Sequence, residues 1–418
     1  MNQNHFFAYD RAVGKFDLLK KAEGGNTLSA ERHYFPGNNT PLGFFSYYRF
    51  ILGQREAKKI ICIKGGPGSG KSTFMKRIGE YFGDLGESID YLHCSADENS
   101  LDGVVIKDRK IALIDGTSPH MTDPITPGAV DKIVNLGEFW NEDGIAASKN
   151  EIIDLNEECS EWYRIAYNYL NAAKSLFRSL ESIYENAVEY SELYRIAADI
   201  VAEEYGEYEI SIRPGREKKC FATAVTASGI VGYCESLLRN MKKVYIINSP
   251  VGYTNGSLMS IIKEGAIYRG FDVESFYCSM SPDEKIDHLI VPELGIAFTT
   301  VNEYHDVEPW EIFIDEEYEN DRVSNAGFGG EGSEKSLAIP EIYLLDIGDY
   351  MDAVQLEKNT ELADSLRDEF DILLHRAVKA LEKAKNTHMR VENFYIPNMN
   401  FTQVGRAAEN IIAELMEK

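Results

Sequence analysis

Apolar positions along the chain fall into two patterns. Short apolar runs bounded by polar or glycine-rich residues read as strands: IICI at 60–63, YLHC at 91–94, IALI at 111–114 and VYII at 244–247. Two long segments, residues 145–205 and 349–396, contain neither Gly nor Pro and read as helical. In the first, Leu155, Trp162, Ile165, Leu170, Ala173, Leu176, Leu180, Ile183 and Ala187 recur at helical spacing. In the second, Leu356, Leu362, Leu366, Phe370, Leu373, Leu374, Val378 and Leu381 do the same. A single helix over 145–205 would reach roughly 90 Å at 1.5 Å per residue, so a bent or folded-back pair is expected. Residues 409–418 read as a further short helix, 213–216 and 325–336 as loops, and 1–30 as a tail or extra helix.

These patterns occur twice in the same order. KKIICIKGGPGSGKSTFM at 58–75 resembles KKVYIINSPVGYTNGSLM at 242–259. Phe35 to Tyr47 resembles Phe221 to Tyr233. YLHCSADENSLDGVVI resembles FYCSMSPDEKIDHLIV, so Cys94 matches Cys278 and, after a one-residue shift, Asp102 matches Asp287. KIALIDGTSPH resembles GIAFTTVNEYH, matching His120 to His305. A similarity with this long period is a tandem duplication of domains and not a solenoid. The expected organisation is a tail (1–30), a first core (31–144), a helical region (145–212), a second core (213–348) and a C-terminal helical region (349–418).

Composition narrows the class. A chain of 418 residues exceeds one ordinary core, and 44% hydrophobic content suits globular folding. The net charge of −25 argues against a nucleic-acid backbone or an anionic membrane as the main partner. None of the six cysteines forms a CxxC pair, no signal-like h-region opens the chain, and no apolar run is long enough to span a bilayer. A soluble cytoplasmic protein is the expectation.

Gly65, Gly66, Pro67, Gly68, Ser69, Gly70, Lys71 and Ser72 match the phosphate-loop pattern GxxxxGK[ST], with Thr73 following. A strand enters the loop and an amphipathic helix, TFMKRIGEYF, leaves it, which is the order the motif needs. Glycines let backbone N–H groups converge on an anion, and the helix N-terminus adds positive potential. Lys71 is expected on the β- and γ-phosphates of ATP and Ser72 on Mg²⁺. Asp115, ending IALID, is the candidate Walker B carboxylate for the same Mg²⁺. Gly116 follows it, so the acid that often activates water is missing from its expected place.

Asp97 and Glu98 are alternative catalytic acids after the strand YLHC, while Asp102, present in both copies, reads as structural, for example in a turn. His120 reads as structural, because His305 matches it. A metal site from His93, Cys94 and His120 fits no standard spacing. The basic cluster Arg213, Arg216, Lys218 and Lys219 reads as a solvated linker or a source of an arginine finger. In the second copy Asn255 replaces Lys71, Gly256 replaces Ser72, Pro250 replaces Gly66, Thr254 replaces Gly70, and Thr299 and Thr300 stand at the Asp115 position. Losing the cation and the metal carboxylate removes the main attractions for triphosphate. A pseudo-NTPase half is expected.

The ordered set GGPGSGKST, HCSADENSLDGVVI, IALIDGTSPHMTDPITPGAVDKIVNLGEFW and KIDHLIVPELGIAFTT resembles bacterial tandem P-loop ATPase-like proteins of the cytoplasm, over nearly the whole chain after residue 30. The resemblance implies an α/β fold of two tandem P-loop NTPase-like α/β/α domains, each followed by a helical region, with ATP as the nucleotide. It brings no established substrate or pathway. The family's second loop often keeps its glycines and lysine; this chain departs from that. Three functions are expected: a Mg²⁺-dependent ATPase or switch, a small-molecule or nucleotide kinase, and a nucleotide-sensing scaffold. An unidentified small-molecule acceptor or protein partner, or self-association through the helical regions, would complete the picture.

Overall fold

The run at 60–63 is buried on both sides of the strand, between two half-buried lysines. Its side chains alternate between two different cores. Ile61 and Ile63 face a helix, whereas Ile60 and Cys62 face the other half of the molecule. The computed structural model describes residues 7–8, 31–117, 123–253, 256–305 and 340–417. His120, Thr254, Asn255, the loop at 325–336 and most of the tail at 1–30 lie outside the described residues.

A two-residue strand β1 (Phe7–Ala8) precedes the first half. That half contains β2 (Glu31–Tyr34), the hairpin β3 (Gly37–Thr40) and β4 (Gly43–Ser46), and β5 (Lys59–Lys64). Helix α1 (Lys71–Asp84) comes next, then β6 (Ile89–His93), β7 (Leu101–Ile106), β8 (Ile111–Asp115) and β9 (Asp131–Asn135). A short α2 (Glu142–Ala146) leads into α3 (Lys149–Ala187) and α4 (Tyr190–Tyr205). The second half repeats the series. It runs β10 (Glu217–Cys220), β11 (Thr223–Thr226), β12 (Gly229–Gly232), α5 (Cys234–Leu238), β13 (Lys243–Asn248), α6 (Gly256–Tyr268) and β14 (Val273–Cys278). Then come β15 (Ser281–Val291), β16 (Ile296–Val301), β17 (Glu341–Asp346), α7 (Ala353–Tyr395) and α8 (Phe401–Met416).

The first sheet has the order β2-β6-β7-β8-β5-β9, and the second β1-β17-β13-β16-β15-β14-β10. Apart from β1, each strand of one sheet has its counterpart at the same place in the other. In both, the strand before the glycine-rich loop lies between two parallel neighbours. The fold is α/β, with two mixed sheets.

The layering differs from two separate α/β/α sandwiches. Each sheet has helices on its outer face. The inner faces share one apolar cluster that joins Ile60, Cys62 and Ile114 to Val244, Ile246 and Phe276. At the β2–β6 end the contact is direct: the Tyr34 ring meets Phe276 edge-on at 6.1 Å. A buried quartet sits beside it. Arg32 donates to Asp90 at 2.8 Å in its own half and to Glu274 at 2.6 Å in the other. Lys218, the counterpart of Arg32, lies 3.5 Å from each carboxylate. The backbones of the matching residues Phe35 and Phe221 bond reciprocally at 2.8 and 2.9 Å.

The segment 145–205 is a bent pair of helices, as its length implies, but not one folded back on itself. Residues 149–187 form one helix of 39 residues, which ends where Val188 turns extended. It packs not on α4 but on α7, antiparallel: Arg390 near one end and Arg367 near the other bond Glu158 and Tyr184 of α3. The two long helices thereby cross between the halves, and each delivers its C-terminal neighbour to the opposite half. On α4, Leu193, Ile196, Ala197 and Ile200 pack with Leu258, Met259 and Ile262 of α6, in the second half. On α8, Val404, Ala408, Ile411 and Leu415 pack with Phe74, Met75, Ile78 and Phe82 of α1, in the first half. Both sets recur at helical spacing and form one face. Helix α8 is longer than the stretch read at 409–418. Asn400 caps it, accepting from Gln403 N.

Candidate functional site

Residues 65–70 turn the chain from β5 into α1. Gly68 and Gly70 have φ of 63° and 81°, which side chains other than glycine rarely adopt. A Cβ on Gly65 would lie 2.6 Å from Ser69 Oγ, so the loop closes only without one. Ser69 is buried and donates to Gly66 O at 2.8 Å. Lys71, the first residue of α1, turns back over the loop. Its ammonium donates to the carbonyls of Gly65 and Gly66 at 3.2 and 3.1 Å and lies 3.7 Å from Asp115 Oδ2. Asp115 ends β8, the direct parallel neighbour of β5. Its other oxygen accepts from Thr117 N at 2.8 Å, which fixes the carboxylate. Ser72 Oγ accepts from Leu101 N at 2.9 Å. Pro67 is half-buried and Thr73 exposed. The loop, Lys71, Ser72 and Asp115 thus converge.

A second set of residues reaches this loop from more than 300 positions downstream. A Cβ on Gly66 would lie 3.0 Å from the Tyr395 ring, one on Gly68 2.8 Å from Ile396, and one on Gly70 3.3 Å from Phe401. The junction of α7 and α8 therefore covers the loop. Lys385 of α7 lies 2.7 Å from Asp97 and 3.5 Å from Glu98. His388 lies 3.9 Å from Glu392, within the fields of Lys71 and Asp97. Desolvation lowers the pKa of His388; Glu392 opposes this and Lys71 reinforces it. Asp97 and Glu98 both sit below the usual carboxylate range. Desolvation pushes each up, but hydrogen bonds and charge from Lys385, with Ser100 for Asp97 and Ser228 for Glu98, more than offset it. Lys385, His388 and Glu392 stand at i, i+3 and i+7, so one face of α7 turns polar here. That interruption of the apolar stripe was the available signal. Beside the loop, Trp140, Asn141, Asn398, Asn400 and Gln403 line an open cleft of about 540 Å³.

The second half uses the same scaffold differently. Val251 and Tyr253 are buried where the first loop has Pro67 and Ser69, and Tyr253 joins the core. Gly252 keeps a positive φ of 91°, and its Cβ would lie 2.7 Å from Leu180 of α3. Where α7 presents Lys385 and His388, α3 presents Lys174, bonded to Ser281, and Phe177. Strand register puts Thr300 opposite Ile247, as Asp115 stands opposite Ile63. Thr300 is thus the residue at the carboxylate position.

Several candidates take other roles. Asp102 lies on strand β7 and not in a turn; it is buried and accepts from Tyr48 OH. His93 stacks on Tyr233 at 4.2 Å and shares a 2.9 Å contact with His33. Burial, with His93 adding, lowers His33 to about 4. The imidazole cluster is therefore neutral packing at the seam. Arg216 pairs with Asp272 at 2.6 Å and with Glu56 at 3.3 Å, Lys218 belongs to the buried quartet, and Lys219 pairs with Glu217 at 3.5 Å. Arg216 and Lys218 thereby join the two halves, and Lys219 stays within the second. All six cysteines are buried, and none is in a disulfide.

No family profile, curated protein or solved structure matches this chain. A functional reading therefore rests on the geometry of the site. Among the described residues, no helix is long and apolar enough to cross a membrane.

Proposed function

We propose that the first half binds Mg²⁺ and ATP as a P-loop NTPase and hydrolyses the nucleotide, while the second half is a non-catalytic partner. One observation carries the reading: Lys71 Nζ sits at the carbonyls of Gly65 and Gly66, 3.7 Å from a carboxylate on the adjacent parallel strand. These residues fit the group. A cation faces a glycine-rich turn at the N-terminus of a 14-residue helix, where backbone dipoles favour an anion. Lys71 would neutralise phosphate charge, and Ser72 and Asp115 would hold the metal. Bound ATP supplies the phosphoanhydride and Mg²⁺ offsets its charge. Asp97 and Glu98, the alternative acids that the sequence offers, are engaged by Lys385, so neither is an unencumbered base. With both of those acids engaged, turnover is expected to be slow.

The second reading, phosphoryl transfer to a small acceptor, is favoured by the open cleft beside the loop, with its asparagine side chains. Phosphate release from Mg·ATP without acceptor, for wild type and Lys71→Ala, tests both. ATP hydrolysis by wild type is expected, with ATP affinity falling about 10- to 100-fold in the variant, as befits a lost charged hydrogen bond. Full hydrolysis by Lys71→Ala would sink the proposal. ATP binding without release until a metabolite is added would select transfer.

A further inference from the structure

The second half holds a polar cluster for which the proposed nucleotide chemistry has no use. Cys234 begins α5, His288 lies on β15, and His305 comes after β16. One donor atom from each lies within 4.8 Å of the others. Cys234 and His288 are 6% and 3% exposed. Cys234 Sγ is 3.6 Å from His288 Nε2, and the opposite nitrogen, Nδ1, is held by Thr299 Oγ1 at 2.7 Å. His305 Nε2 lies 3.2 Å from Asp287 Oδ2. Its Nδ1 is buried and has no hydrogen-bond partner among the described residues.

We infer that Cys234, His288 and His305 form a binding site for a zinc-class divalent cation. The distances fit. A tetrahedral zinc, with Zn–S about 2.3 Å and Zn–N about 2.0 Å, sets sulfur and nitrogen about 3.5 Å apart. The Cys234–His288 pair already stands at 3.6 Å. The second shell fits as well. Metal-ligating histidines use one nitrogen for the metal and fix the other on a hydroxyl, carbonyl or carboxylate. His288 is fixed by Thr299 and His305 Nε2 faces Asp287 Oδ2 at ion-pair distance, which leaves His288 Nε2 and His305 Nδ1 to ligate. The metal also accounts for the orphaned nitrogen, which is otherwise a costly buried group. One thiolate with two imidazoles favours zinc over magnesium or calcium. The fourth position is left to water, as in a three-residue zinc site.

Among the described residues the first half has no such set. Tyr48 stands at the Cys234 position and bonds Asp102, and Gly103 stands at the His288 position. The cation site is thus particular to the half that lost the phosphate-loop lysine.

Elemental analysis of the full chain, purified without chelator, reads the site. About one zinc per chain is expected. After metal removal, added Co²⁺ should give a sulfur-to-cobalt charge-transfer band that Cys234→Ser abolishes. Thr299→Val, which frees His288, should weaken metal affinity about 10- to 100-fold. Stoichiometric metal with these losses supports the site. Failure to bind zinc or cobalt, or an unchanged cobalt spectrum in Cys234→Ser, overturns it in favour of a metal-free thiolate–imidazolium pair. Should Cys234→Ser not fold, the wild-type cobalt spectrum decides, because no other cysteine belongs to a ligand cluster among the described residues.

Discussion

Gly68 meets two constraints at once: a left-handed backbone and an isoleucine side chain where its Cβ would be. Gly68→Ala should cost about 1–2 kcal/mol for the backbone alone and push Ile396 off the loop. A lower melting temperature with weaker ATP binding would show both effects; unchanged values for both would exclude them. Lys385→Ala tests the ion pair beside the loop. Asp97 and Glu98 have lowered pKa values, so their contribution is present above the ordinary carboxylate range and fades as pH falls. Lys385 is raised, so its share persists through neutral pH and fades only in strong alkali. At partial exposure the pair contributes about 1 kcal/mol or less. The variant should therefore melt slightly earlier at pH 7 and match wild type in acid.

At this scale the sequence was informative where chemistry is local. Residues 65–72 lie in one turn, and their spacing encodes their meeting. Lys385 and His388 arrive from a distant helix, and polar positions on a helix look alike whether they face water or a ligand. Cys234, His288 and His305 are separated by 54 and 17 residues in the sequence, so no spacing pattern marks them.

Among the elements, the strands and the apolar helix stripes were legible because period-2 and period-3.6 patterns are properties of short windows. The partner of a stripe is not such a property. Hence the exchange of α4 and α8 between the halves, and the antiparallel pairing of α3 with α7, were not readable. The exchange predicts a specific lesion. Ending the chain after Met399 removes α8 and exposes Phe74, Met75, Ile78 and Phe82 of α1. Losing the packing of Val404, Ile411 and Leu415 should cost on the order of 5 kcal/mol. Hydrogen exchange should then accelerate in α1 far more than in α6, and equal protection of α1 in both chains would refute the exchange.

For the whole molecule, the seam between the inner sheet faces is the dominant feature. Its quartet makes stability sensitive to acid. Burial raises Glu274, but Arg32 and Lys218 outweigh it, and the carboxylate falls from 4.5 to about 2. A depressed carboxylate stabilises fully above its unfolded value and loses that contribution as pH falls through its folded value. The contribution is therefore whole above about pH 4.5 and is lost as the pH falls toward 2. Glu274→Gln should melt earlier at pH 7, leaving a buried cation short of a partner, and its melting temperature should fall less between pH 4.5 and 2. Calorimetry across that range would read it, and parallel acid profiles would rule the quartet out as the cause. In the sequence Arg32 does not stand out and Lys218 reads as a linker cation, because charge meaning depends on which faces meet.

The crossing of the long helices also orders events in time. Helix α1 is synthesised early, yet the helix that covers it spans residues 401–416. At cellular elongation rates the gap lasts on the order of tens of seconds. Through that interval the nascent first half shows an apolar strip to solvent, a natural handhold for chaperones. Its loop, too, stays uncovered until the arm returns. A prematurely terminated chain would carry the whole glycine-rich motif and still lack a finished site. Stalled nascent chains of increasing length, probed by brief proteolysis, should accordingly gain protection of α1 in a single late step.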